Sequence, residues 1–160
     1  MQNRFFDIDN NIFFNGLYLL SLICNERKVY KLEEINLKLF LIKNPYIMLN
    51  VYEKLGISLS KDIFKEFQYF NLQADMSRYL LKVQVKGLLE ALNFLYSKGL
   101  IEVNYQKKSM EPTLKCMQID KNDIPDEIML VSNRINELFE TVIIKDIKKA
   151  LFIEGDSLYE

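Results

Sequence analysis

Chemistry needs polar side chains that can meet in space, and this sequence carries few sets that could. Its 160 residues include no histidine, which removes the commonest general base, the usual nucleophile triads and most zinc and non-haem iron sites. The five glycines stand singly, so neither a phosphate-cradling loop nor a dinucleotide fingerprint can be built. Acidic residues do occur in close pairs, such as Asp7 with Asp9 and Glu33 with Glu34. Converging carboxylates could hold magnesium or cleave a glycoside, but these pairs sit beside expected helix starts or on exposed faces, where acids answer the helix dipole. Cys24, within Leu-Ile-Cys-Asn-Glu, has neither a histidine nor a run of cations beside it, so its thiol is expected to stay protonated and unreactive. Cys116 lies far away in an unrelated context, and both are read as buried thiols of a reducing compartment. No catalytic residue, cofactor, metal site or small-molecule substrate is therefore expected.

Two constellations could instead bind macromolecules. The first is cationic. Arg78, Lys82, Lys86 and Lys98 precede an expected hairpin that carries Lys107, Lys108 and Lys115, and residues 72–121 hold eight basic against five acidic side chains. Lys82, Lys86, Lys107 and Lys108 are the candidate nucleic-acid contacts. That excess of three is small for a DNA-binding domain, where neutralised phosphates supply most of the affinity. The helix before the hairpin also carries Leu89, Glu90, Ala91 and Leu92, with few arginines or asparagines for base edges. The second constellation is apolar: Ile128, Val131, Ile135, Leu138 and Val142 recur in alternating steps of three and four, a stripe suited either to the chain's own core or to a partner. Aromatics and methionine beyond one core's needs, Phe13, Phe14, Tyr18, Tyr46 and Met48, favour a partner surface. Residues 122–160 count four basic against nine acidic side chains, so a cationic partner fits there.

The elements that must position these residues are mostly helices. Asn10 or Asn11 can cap a helix to about Cys24. A second helix should begin near Lys31, with Leu32, Ile35, Leu39 and Ile42 on one side, until Pro45 breaks it and opens a third that ends at Gly56. Ser60 and Asp62 read as a further start, with Ile63, Phe67 and Phe70 on one face, and a short helix is expected over 72–81. Over 83–98 Val85, Leu88, Leu89, Leu92 and Leu95 read as a core stripe, stopped by Gly99. Residues 99–105 and 114–119 each alternate, which predicts a hairpin turned by the polar stretch with Pro112. Pro125, Asp126 and Glu127 open the next helix, and a short one over 145–152 closes the region before Gly155.

The fold class expected is mainly α with a small β-hairpin, one domain open to division into two lobes: helices over 1–71, a winged helix-turn-helix-like element over 72–121, and helices over 122–160 packing back. The near balance of 21 basic and 22 acidic residues argues against a protein that coats nucleic acid or anionic membrane. No cationic leader precedes an apolar run, and the apolar stretch 12–23, interrupted by Asn15 and Gly16, is short for a bilayer. A soluble, cytoplasmic protein is expected.

Four segments carry a resemblance to a family. They are the opening apolar helix from Asn11 to Leu22, the run Leu37-Lys38-Leu39-Phe40-Leu41-Ile42-Lys43-Asn44-Pro45, and the Leu88 to Ile101 helix with its Gly-Leu-Ile step. The fourth is Asn133-Arg134-Ile135-Asn136-Glu137-Leu138-Phe139 with the short helix ending Leu151-Phe152-Ile153. Together they resemble the middle components of bacterial ABC-three-component systems, including the small accessory subunit of Lamassu-type antiphage defence. The resemblance implies a non-catalytic subunit bridging an SMC-like or Rad50-like ATPase and an effector, often a nuclease, with any DNA contact made through the complex. The alternative read from the residues is a small winged-helix DNA-binding regulator.

Overall fold

The computed structural model describes residues 11–59 and 77–151. The helix expected around Ile63, Phe67 and Phe70, and residues 72–76 of the next, lie outside them. Helix α1 spans Ile12–Ile23, and Asn11 starts it as expected: its Oδ1 accepts from the backbone amides of Phe13 and Phe14 at 2.9 and 3.3 Å. A two-residue strand, β1 (Tyr30–Lys31), leads into α2 (Leu32–Lys43). Pro45 then occupies the first turn of α3 (Pro45–Lys54), where its missing amide costs no hydrogen bond, and Gly56 follows with φ +70°.

Helix α4 spans Ser77–Ser97 and ends before Gly99, whose φ of +70° closes it. Strands β2 (Ile101–Asn104) and β3 (Ser109–Pro112) form an antiparallel hairpin, with Ile101 opposite Pro112 and Asn104 opposite Ser109. Here the structure corrects the expected hairpin. Its second strand comes earlier than 114–119, because Lys108 turns the chain with φ +49° only four residues after β2 ends. Pro112 closes β3 instead of turning the chain, and Leu114–Met117 is a short helix, α5, whose first turn Thr113 caps by accepting from Cys116 N at 3.4 Å. The strand that the sequence did not announce, β1, pairs with β3 through Tyr30 and Met110 to give a three-stranded sheet in the order β1-β3-β2.

Helices α6 (Asp126–Thr141) and α7 (Ile144–Leu151) complete the described chain. Pro125 stands at the cap of α6, and Asp126 and Glu127 fill its first turn. Helix α1 packs on α4 and α6, and α2 touches both as well, so α1 and α2 stand at the centre of the helical packing. Helix α2 is buried nearly all round: Leu37, Lys38, Phe40 and Leu41 are as enclosed as the predicted stripe. Lys38 is 1 % exposed, pairs with Glu34 at 2.8 Å, and holds its ammonium 5.2 Å from the Tyr30 ring centre and 5.1 Å from that of Phe139. Burial lowers its pKa, and the Glu34 carboxylate pulls it back up. Helix α7 is clasped to α3 by Lys54, whose Nζ donates to Ala150 O at 2.9 Å, and to α2 by the Lys148–Glu33 ion pair. Among the described residues no helix is long and apolar enough to cross a membrane.

Candidate docking surface

Asp7 and Asp9 lie outside the described residues. Glu33 and Glu34 point to different partners, Lys148 and Lys38, so they share no cleft. Among the described residues no three acids or cysteines are arranged to hold a metal ion. Cys24 and Cys116 are free thiols, both buried. Burial pushes the Cys116 pKa up to about 11 and raises that of Cys24, an effect Lys121 partly offsets, so both are thiols at neutral pH.

The apolar stripe of α6 turns inward. Val131, Ile135 and Leu138 are buried, and Ile128 and Val142 are half-buried against the same core. Polar contacts fix that orientation. The buried hydroxyls of Ser21 and Ser132 meet at 2.5 Å, Asn136 Nδ2 donates to Leu22 O at 3.0 Å, and Tyr52 OH donates to Arg134 O at 2.6 Å. Of the five residues expected to meet a partner, Val131, Ile135 and Leu138 are thus enclosed in the chain's own core, and Ile128 and Val142 keep part of their surface open.

Helix α4 shows the converse. The sequence reading placed Val85 and Leu89 in the core, but both are exposed, at 41 % and 38 %. The reason lies in its small and polar positions. Gly87 and Ala91, four residues apart, put a flat strip on one side, and there α1 comes so close that a Cβ on Gly87 would stand 3.1 Å from Asn15 Nδ2. Gln84, one turn earlier, donates its Nε2 to Asn36 O and Oδ1 at 3.0 and 3.1 Å and pins α4 to α2. With 84, 87, 88, 91, 92 and 95 facing in, 82, 85, 86, 89, 93 and 96 must face out. The outer arc therefore runs Lys82, Val85, Lys86, Leu89, Asn93, Tyr96. A small pair at 87 and 91 inside a run of large side chains was the available sign of which face would be in contact.

The hairpin joins this arc. Tyr105, itself exposed, donates its hydroxyl to Asn93 Oδ1 at 2.9 Å. Asn104 Oδ1 accepts from Lys107 N at 2.9 Å, and Lys108 O accepts from Leu32 N at 2.8 Å, so the tip is held at both sides. Of the four candidate nucleic-acid residues, Lys82 and Lys86 lie on the arc and Lys107 and Lys108 at the tip, all exposed. Lys98 stands 5.6 Å over the Phe94 ring, and Lys115 donates to Lys98 O at 2.8 Å, near the helix end. The arc is thus an apolar strip edged by cations, with one exposed acid, Glu90, at its margin.

Comparison of the chain with protein-family models, with curated proteins and with solved structures gives no match.

Proposed function

We propose that this chain is a non-catalytic accessory subunit that docks another protein on the outer arc of α4, and that the resembled family supplies its setting. It bridges an SMC-like or Rad50-like ATPase and an effector, often a nuclease, in an antiphage complex. The observation that carries the reading is the exposure of Val85, Leu89 and Tyr96 along one arc. Large apolar groups in a row on an outer helix face are the usual form of a protein contact. The element order supports a winged-helix reading of the same region, with β1 between α1 and α2, and α4 running straight into a hairpin in a sheet ordered β1-β3-β2. In that reading α4 takes the place of the recognition helix, but valine, leucine and tyrosine stand where a base reader carries arginine or asparagine.

The test is co-expression with the proteins encoded beside it, with the tag on this chain. Wild type should retain a neighbour, and Val85→Asp with Leu89→Asp should release it while the melting temperature stays put. A chain that never retains a neighbour overturns the reading. The second reading, a DNA-binding regulator, rests on the exposure of Lys82, Lys86, Lys107 and Lys108 on the arc and hairpin tip. It requires duplex binding that falls steeply with salt and disappears when those four are reversed to glutamate. Unchanged affinity in that variant rejects it.

A further inference from the structure

The α4 arc and the outer face of α6 are complementary in charge and in length. With Val131, Ser132, Ile135 and Leu138 turned inward, α6 shows Asp126, Leu130, Asn133, Glu137 and Glu140 to solvent. Arg134 is the one cation on its exposed side, and it already pairs with Glu137 at 3.0 Å. The α4 arc shows Lys82, Val85, Lys86, Leu89 and Tyr96, and among the described residues neither of its lysines has an ion-pair partner. Lys82 to Tyr96 spans the same number of turns as Asp126 to Glu140. Laid antiparallel with Lys82 opposite Glu140, Lys86 falls within a turn of Glu137, Leu89 and Leu130 meet the middle of the opposite helix, and the Tyr96 hydroxyl comes to Asp126. On one molecule these faces cannot meet, because each is the solvent-facing side of a helix whose other side packs on α1 and α2.

We infer that the α4 arc of one copy receives the acidic outer face of α6 from a second copy. The inference rests on the reading of the arc as a protein-docking face and gives it an occupant. It also accounts for the acidic balance of residues 122–160, whose cationic partner is then the lysine-edged arc of this same chain. The contact is head-to-tail, since each copy contributes a different face to each neighbour, so assembly grows with concentration unless the rotation closes a ring. Because pairs of opposite charge edge an apolar strip, the association weakens as salt screens them.

Sedimentation velocity and light scattering on the full chain test this. Wild type in low salt should show a mass above the 19.0 kDa of one chain, rising with concentration and falling back toward it in high salt. Lys82→Glu with Lys86→Glu should give a monomer, and so should Glu137→Lys with Glu140→Lys. Mixing the two variants should restore association, because the acidic α6 face of the first meets the basic arc of the second and the two reversed faces are again opposite in charge. Circular dichroism melts of each variant establish that the fold is intact. A wild-type monomer at every concentration overturns the inference, as does association that neither charge reversal disturbs. If that monomer still retains an encoded neighbour through Leu89, the self-contact fails and the docking reading stands. If Leu89→Asp retains it equally well, the arc itself is abandoned.

Discussion

Helices α4 and α6 both carry apolar side chains in steps of three and four, and in sequence either could pass for the core helix or the partner helix. In the structure they part company. The stripe of α6 is a single arc, Ile128, Val131, Ile135, Leu138 and Val142, and all of it goes inward. Helix α4 carries apolar residues round more than half its circumference; among the described residues the core takes Leu88, Ala91, Leu92 and Leu95, with Leu80, Leu81 and Phe94 packed against it, and Val83, Val85, Leu89 and Tyr96 stay outside. The period of an apolar pattern therefore identifies the inner face only when polar residues bound it on both sides. Where the pattern is broad, small residues decide, because backbones approach most closely at them, as at Gly87.

The sharpest way to break this contrast is to truncate one leucine on each helix. Leu138→Ala removes a side chain 2 % exposed and should cost about 2–5 kcal/mol in urea unfolding, the range for a buried leucine. Leu89→Ala should stay within about 0.5 kcal/mol, as for surface changes generally. Equal losses would mean that the arc of α4 is covered within the folded chain. Next in size is Gly87→Ala. On a solvent-facing helix position alanine would gain about 1 kcal/mol over glycine, but here the new methyl meets the buried amide of Asn15. Overpacking costs about 1–3 kcal/mol and offsets that gain, so the net change should lie between none and a loss of about 2 kcal/mol. A rise in stability would show that α1 and α4 are not in tight contact at that point.

How far such contrasts can be read without coordinates differs by element. Asn11, Pro45, Gly99 and Pro125 each act on the backbone beside them, by capping, by a missing amide or by a left-handed turn, and the ends they mark are where the structure has them. Sheet residues gave less. Ser109-Met110-Glu111-Pro112 has little strand propensity of its own and becomes a strand by pairing on both sides, to β1 and to β2. Strand β1 has two residues, too few to alternate. Leu114 to Ile119 does alternate, yet Thr113 caps a helical turn there. The candidate docking surface was legible in Lys82, Lys86, Lys107 and Lys108, whose charges favour solvent, and illegible in Val85 and Leu89, whose exposure depends on where α1 comes to rest.

Smaller effects sharpen the account of what turns α6 inward. Ser132→Ala removes one of two hydroxyls in contact with each other, but Ser21 keeps a second bond, to Tyr18 O at 2.7 Å. No buried donor is stranded, so the loss should be about 0.5–1.5 kcal/mol. A loss well beyond that, in the same urea titration, would point to a rearranged α1–α6 contact.

A buried tyrosine couples stability to pH only in alkali. Tyr52 is buried on α3 with its hydroxyl given to Arg134 O on α6, and burial chiefly, with Glu137 adding to it, pushes its pKa from 10.0 up to about 12. A folded-state pKa above the unfolded one means that the native protein holds its proton longer than the unfolded chain does. Stability from this group is therefore complete below pH 10.0 and is lost as pH rises from there to about 12. Cys116 acts in the same sense from 9.0 to about 11. Lys38 acts oppositely, because its lowered pKa lets the folded state shed a buried charge before the unfolded state does. Tyr52→Phe isolates the tyrosine: the variant should be less stable by about 1 kcal/mol at neutral pH, for the lost hydrogen bond. The gap to wild type should then narrow and reverse through the interval from 10.0 to about 12, as measured by urea unfolding at each pH. A gap that stays constant across that interval would show that the Tyr52 hydroxyl titrates as it does in water, and that α3 does not bury it against α6.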